Sequence, residues 1–494
     1  MKRLVVFVMA LAAFSATVAA KPLSFVFEQP RYAVSAGETI TVPYSLDGEA
    51  KVSVTAGEGW KAEVTPNGGR RGEVVITAPD PALAPDIVLT AIAPGGEVVT
   101  KKIPLMVKDP FTAATRPKAK LQIFGGLPAT NNTQEDYNKA AEAGFTIITL
   151  EGGEAYDMDG DGERTDDDML ATVSHKLDMI RKAGLKYTLH HPWLPGVVEM
   201  VKDDPDCLMI HIFDEPGLWL IPDLKARKEW VKQYAPDKPV HINLHPEASI
   251  RAMGTDCYRD YIQTMVDGCD MEILSYDQYP IMADRTIMNY WYKCMEVNSD
   301  IARKKGIPFW AFTASCYMED EHRYMPDMAN MRLQVYTDFA YGAEVVQYFV
   351  YRAYTVSTLA PLMADGTYTE LYDLMKEFNA EMHKRAFVFD GGKVTKTRFA
   401  GLTPWNCRPL LASELPQQIA SVSCDKTALV GFEENNGNDY LAIVNGDCFS
   451  KCTVTVDFAD LAYTIDRTGA FTEQQPGKRD FVLDEGDMLV IKYR

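Results

Sequence analysis

The run His211-Ile-Phe-Asp214-Glu215-Pro216-Gly217 puts two adjacent carboxyls at the end of an apolar segment. Leu208–Phe213 reads as a buried strand, Pro216 stops it, and Asp223–Tyr234 carries the pattern of the helix that follows. Strand alternation sets Met209, His211, Phe213 and Glu215 on one face and Leu208, Ile210 and Ile212 on the other. With the first face inward, Glu215 emerges at the strand end. An apolar setting beside the Asp214 charge is expected to raise its carboxyl and keep a proton available near neutral pH. That is general-acid chemistry, with Asp214 turned sideways as a supporting group. The plain alternative is a solvated Asp-Glu-Pro turn.

Other chemistry-bearing residues stand at the ends of similar segments: Glu151, His190, His191 and Trp193, then His245, Tyr276, Asp277, Tyr279, Trp310, Tyr348 and Arg352. Aromatic faces beside His, Asp and Arg suit a sugar, whose C–H faces stack on rings while its hydroxyls bond to polar groups. Each ring taken singly also fits plain core packing.

The elements that must position these residues alternate. Strand candidates are Leu121–Phe124, Thr146–Glu151, Tyr187–His191, Leu208–Asp214, Val240–His245, Met271–Tyr276, Pro308–Thr313 and Val345–Tyr351. Helical patterns lie between them, among them Gln134–Ala143, Asp168–Ala183, Arg285–Lys304 and Met328–Tyr341. Eight such units predict a (β/α)8 TIM barrel over residues 119–390, whose chemistry sits at the C-terminal strand ends. Before it, residues 21–108 alternate with period two between Gly-rich turns and predict an immunoglobulin-like β-sandwich without clustered acids or histidines, hence an accessory domain. Lys108–Lys118 reads as the linker. Residues 395–494 return to strands, with Asn435-Asn436-Gly437 as a hairpin turn, and predict a C-terminal β-sandwich packed on the barrel.

The barrel segment resembles the glycoside hydrolase barrels of exported bacterial enzymes. In one clan of these, strand four ends Asn-Glu-Pro or similar, with Glu as acid/base, where this chain has Asp214-Glu215-Pro216. The clan's nucleophile is a Glu at the end of strand seven. Here Trp310-Ala-Phe-Thr-Ala-Ser315 carries no carboxylate, and the next acids are Glu319, Asp320 and Glu321. A second resemblance is to N-acetylhexosamine-acting enzymes that use the substrate acetamide as nucleophile. It implies Glu215 as proton donor, Asp214 as the group orienting the acetamide, and Tyr276 in Leu274-Ser-Tyr-Asp277 as the group bonding its carbonyl. The fuller chitinase acidic run is absent, since His211 stands four before Glu215.

Asp157-Met-Asp159-Gly-Asp161-Gly162-Glu163-Arg-Thr165-Asp-Asp-Asp168 has the spacing of a calcium loop, with acids at alternate positions and one at position twelve. The sequence predicts a structural Ca2+ held by Asp157, Asp159, Asp161, Glu163 and Asp168. The alternative is a solvated acidic loop with Asp168 as a helix N-cap.

Residues 1–20 have the form of a secretory signal peptide, with Lys2-Arg3, the apolar Leu4–Phe14 and the small-residue Val18-Ala19-Ala20. No cysteine follows it to carry a lipid and no later run is long enough to span a bilayer, so a secreted or periplasmic address is expected. The formal charge is −19, and loss of Lys2 and Arg3 leaves −21. Such a surface repels nucleic acid and favours neutral partners. Nine cysteines leave at least one unpaired, and one disulfide is expected among Cys407, Cys424, Cys448 and Cys452.

The leading expectation is an exported glycosidase acting on an oligosaccharide or polysaccharide. Its rival is a non-catalytic glycan-binding protein on a degenerate barrel. A zinc hydrolase stands third, because His190, His191 and His245 lack a compact ligand motif such as His-Glu-x-x-His.

Overall fold

The computed structural model describes residues 23–29, 31–79, 85–107, 119–126, 132–353 and 358–494. The expected signal peptide (1–20) and linker (108–118) lie outside them. The chain divides into two compact units, 1–111 and 112–494.

In the first unit, alternation gives two antiparallel sheets. One orders its strands Phe25–Phe27, Thr39–Leu46, Arg71–Thr77, Lys61–Pro66; the other orders Lys51–Ala56, Ile87–Ile92, Val98–Lys102. The inward positions, such as Phe25, Val42, Val74, Ile76 and Leu89, form one apolar core. The alternating stretch after Val98 is broken at Ile103-Pro104, and Leu105–Val107 pairs with Tyr32–Val34.

The second unit opens with a closed barrel of eight parallel strands: β1 (Gln122–Gly125), β2 (Ile147–Glu151), β3 (Lys186–His190), β4 (Cys207–Asp214), β5 (Val240–Leu244), β6 (Leu274–Asp277), β7 (Phe309–Ala314) and β8 (Val345–Phe349). Closure is made by β8 on β1, with Ile123 opposite Val346. Phe124, Ile147, Met209, Ile273, Trp310 and Val345 fill the inside near the strand starts. The expected helix Arg285–Lys304 begins only at Trp291: Arg285 has φ 66° and Ile281 bridges Ile287, so the segment before the helix folds back as a loop over the barrel end.

C-terminal to the barrel lie a six-stranded and a three-stranded sheet around a shared apolar core. Asn436 (φ 50°) and Gly437 (φ 77°) make the expected tight hairpin between Thr427–Asn435 and Asn438–Asn445. These sheets pack on the barrel helices Trp291–Lys305 and Met328–Ala340. Gly431 permits this, since a Cβ there would lie 2.5 Å from Ala340 O. Across the seam, Arg408 binds Asp300 at 2.9 Å and Glu296 at 3.1 Å, and the fully buried Arg385 donates to Met488 O at 3.1 Å. All nine cysteines are free thiols; Cys424 and Cys452, on paired strands, are within hydrogen-bond reach.

Candidate active site

β4 and β3 both end on a residue in left-handed backbone conformation, Glu215 (φ 50°) and His191 (φ 48°). Neither is glycine, so both positions are strained, a cost that concentrates at functional sites. The kink at Glu215 is held by its own N–H donating to Asn243 O at 2.9 Å. It turns the carboxyl into a cavity of about 370 Å³ at the barrel mouth, lined among others by Asp214, Glu215, Asp277, Tyr279, Glu321 and Arg323.

Glu215 Oε2 lies 3.4 Å from His245 Nδ1, and its carboxyl is within hydrogen-bond reach of Asp277. The facing His245 imidazole outweighs burial and holds Glu215 below its ordinary range. This corrects the expectation that its surroundings raise it: the imidazole, placed there by β5, reverses the sign. The raised group is Asp277. Desolvation, then the charges of Glu215 and Asp214, push it well above the usual carboxylate range. The two opposite directions favour a proton on Asp277 over one on Glu215. Asp214 is also raised, by burial first, despite accepting from Asn243 Nδ2 at 3.1 Å.

Behind Asp214 runs a polar ladder through the barrel interior. Gln347 Nε2 donates to Ser275 Oγ at 2.8 Å, and Ser275 Oγ donates to Asn243 Oδ1 at 2.8 Å. Thus β8, β6 and β5 fix the amide that orients Asp214. His245 is anchored in turn: Tyr261 Oη accepts from its backbone N–H at 3.3 Å and donates to Pro216 O at 2.7 Å.

Several expected site residues are elsewhere. Tyr276 faces the helix layer, its hydroxyl against Met295 Sδ at 2.7 Å, because Ser275 and Asp277 take the inward positions of β6. Tyr348 likewise points outward and bonds Asn379 Oδ1 at 3.0 Å, with Gln347 inward. Trp310 does face inward but lies in the apolar layer below the mouth. Arg352 is buried among Asn132, Asp136 and Ala364 O. Trp193 is 55% exposed and lines a separate cleft with Tyr156 and Arg164. Tyr279 keeps its place, stacked on Phe349 at 5.4 Å between centroids.

The sequence reading missed Asn243, Ser275, Gln347, Phe312 and Arg323. It noted Glu321 only as a carboxylate beyond strand seven. Glu321 follows β7 and lines the cavity, where Arg323 Nε holds its Oε2 at 3.2 Å.

At the β2–β4 side, Glu151 Oε2 lies 3.7 Å from His191 Nδ1. Burial alone would raise Glu151, but His191, His190 and Lys176 outweigh it and hold the carboxyl low. The His190 ring stacks on Phe124, and burial depresses it to about 4. His211 is pushed well down and His241 to about 3, both chiefly by burial.

In the acidic loop the carboxylates of Asp157, Asp159 and Asp161 lie within 4.8 Å of one another. Asp157 accepts from Gly160 N at 2.7 Å and Gly162 N at 3.0 Å. Asp168 stands apart from this cluster. It completes a capping box with the true N-cap, Thr165, and accepts from Met158 N at 2.9 Å. Glu163 donates its backbone N–H to Asp161 at 2.8 Å, and its side chain is not part of the cluster.

The fold defines a class, the eight-stranded (β/α)8 barrels, here with a carboxyl-lined cavity at the mouth. Residues 220–360 match the family described as beta-galactosidase, glycoside hydrolase family 42. That segment spans β5 to β8, including Asp277 and Glu321 but not Glu215, and leaves the family open. No curated protein matches the chain. Among solved structures, endo-glycoceramidase II from Rhodococcus sp. is similar at 11% identity over 76% of this chain and 97% of its own, with a TM-score of 0.38. A Bacteroides ovatus GH5 xyloglucanase is similar at 11% identity over 72% and 98%, TM-score 0.32. Phospho-2-dehydro-3-deoxyheptonate aldolase from Thermotoga maritima reaches 12% over 66% and 89%, also at 0.32. Likeness at this level says nothing of substrate. Among the described residues, no helix is long and apolar enough to cross a membrane.

Proposed function

We propose that the chain is an exported glycoside hydrolase that cleaves glycosidic bonds in neutral or amino-sugar glycans, with Glu215 as the proton-transferring carboxyl. The observation that carries this reading is the Glu215–Asp277 pair, one carboxyl held low and the other high, at the mouth of a barrel. Asp277 stores the proton and Glu215 passes it to the glycosidic oxygen. The C1–O bond then breaks with its electron pair going to that oxygen, and water completes the sugar. Glu215 and Asp277 touch, whereas paired carboxyls of retaining enzymes stand about 5 Å apart, so Asp277 is not the nucleophile. Glu321 is the second carboxylate of the same cavity and takes the nucleophile or base role. The outward Tyr276 speaks against the acetamide-assisted route in the form first expected. Trp219, 61% exposed and four residues past Glu215, offers a face for a sugar ring at the rim. A hydrolysis screen over a glycan library tests the reading. It succeeds if some glycan is cleaved by the wild type and not by Glu215→Gln, and fails if sugars bind while none is cleaved.

We also propose calcium at Asp157, Asp159 and Asp161, which supply the alternating oxygens such a loop needs. Asp168 is committed to its helix cap and is left out of the ligand set. Chelation is expected to lower the melting temperature, and Asp157→Ala with Asp161→Ala to abolish that sensitivity. Identical melting with and without chelator overturns it.

A further inference from the structure

Five of the eight histidines lie in or at the mouth of the barrel: His190, His191, His211, His241 and His245. His245 serves Glu215. The others form a separate group at the β3–β5 side. The rings of His190 and His211 are 4.6 Å apart, those of His191 and His211 4.8 Å, and those of His211 and His241 5.1 Å. One ligand nitrogen from each of His190, His191 and His211 can be chosen so that all three lie within 4.8 Å of one another. Glu151 adds a carboxylate oxygen 3.7 Å from His191 Nδ1.

Packing does not explain this group. His211 is 4% exposed and His241 1% exposed, and His211 Nδ1 and both ring nitrogens of His241 have no hydrogen-bond partner. Buried polar atoms are ordinarily paired, and the unpartnered His211 ring beside His190 and His191 points to a missing ligand, with His241 outside that group. The groups present also suit one. Neutral imidazoles are lone-pair donors, and His190 Nε2 is already set by Thr188 Oγ1 at 2.9 Å, the kind of outer contact that orients a metal-binding ring. The left-handed kink at His191 swings its ring back over His211, and its backbone N–H donates to His211 O at 3.0 Å.

We propose that His190, His191 and His211, with Glu151, form a site for one divalent transition-metal ion of the zinc type. Three imidazoles and one carboxylate are the donors such ions prefer over calcium or magnesium. The nitrogens must close in by small ring rotations on binding, which the half-exposed His191 side chain is free to make. That exposed side leaves the ion a face toward the mouth for an oxygen ligand, a water or a substrate hydroxyl. The site differs in donors and place from the acidic loop of Asp157–Asp161, and it stands whether or not the chain cleaves glycans.

The test is metal retention by the full-length protein. Wild type is loaded with zinc, freed of excess by gel filtration and assayed by elemental analysis, and a cobalt-loaded sample is scanned for the visible bands of a low-coordinate N/O site. One zinc per chain is expected, kept in the Asp157→Asn, Asp161→Asn double variant. His191→Ala and Glu151→Gln are expected to weaken zinc binding by at least about tenfold and to lose the cobalt bands. His211→Ala should do the same. Should its buried position prevent folding, His191→Ala, at the exposed ring, decides alone. Absence of retained metal in folded wild type, or retention unchanged in His191→Ala, overturns the proposal.

Discussion

The two sides of the barrel mouth answer burial in opposite ways. On the β4–β6 side, low dielectric drives Asp277 to keep a proton, while Glu215 stays charged because His245 faces it. On the β2–β4 side the same low dielectric strips protons from His190, His211 and His241, while Glu151 stays charged because His191 and Lys176 attend it. Burial suppresses charge in acids and bases alike, and only a named partner preserves it. One side thus stores a proton and the other stores lone pairs.

The largest effect expected on this division is at Glu215. Glu215→Gln keeps the shape and removes the transferable proton, so turnover should fall by about 10²–10⁴-fold with binding retained. Turnover near the wild-type value would remove the proton-storing side from the comparison. Asp277 comes next. Because its carboxyl is raised, its proton persists above the pH at which a free Asp loses it, and the rate should fall only as pH climbs through that higher titration. In Asp277→Asn the low-lying Glu215 must hold the proton alone, so a slower enzyme should lose activity at lower pH. A pH–rate profile whose alkaline limb stays in place would show that Asp277 is not the reservoir. Asn243→Ala cuts the ladder behind Asp214, and kcat/KM should drop by about tenfold, the size of one hydrogen bond to a charged group at roughly 1.5 kcal/mol. The smallest effect belongs to Tyr276→Phe. Turnover should not change, since the hydroxyl faces Met295, and a several-fold loss would return Tyr276 to the site.

The barrel was legible because each strand is a short apolar run followed by a helical pattern, and alternation on β4 correctly turned Met209 and His211 inward. The same alternation holds on β6. Ser275 and Asp277 share a face, so Tyr276 could not join Asp277 in the pocket, and on β8 Gln347 excludes Tyr348 by the same arithmetic. Asn243, Ser275 and Gln347 were passed over because a polar residue inside a strand carries no signal of its partners, which come from three different strands. The grouping of the histidines is hidden from the sequence for a related reason. His211 joins His190 and His191 only through the sideways pairing of β3 with β4, in which His190 stands opposite His211, and sequence spacing does not report that register. The reversed shift of Glu215 depended on His245, thirty residues away in sequence.

The seam between the barrel helices and the C-terminal sheets bears on how this chain can be cut. Arg385 belongs to the stretch that closes the barrel, yet its guanidinium is sealed by Met488 O and Tyr336 Oη, and Asn435 reaches back to Val388 O at 2.9 Å. A fragment ending near residue 390 would bare Arg385 and strip the apolar faces of Trp291–Lys305 and Met328–Ala340 of their cover. The compact unit that carries the mouth is 112–494, and the barrel and the C-terminal sheets within it are expected to melt in a single cooperative step.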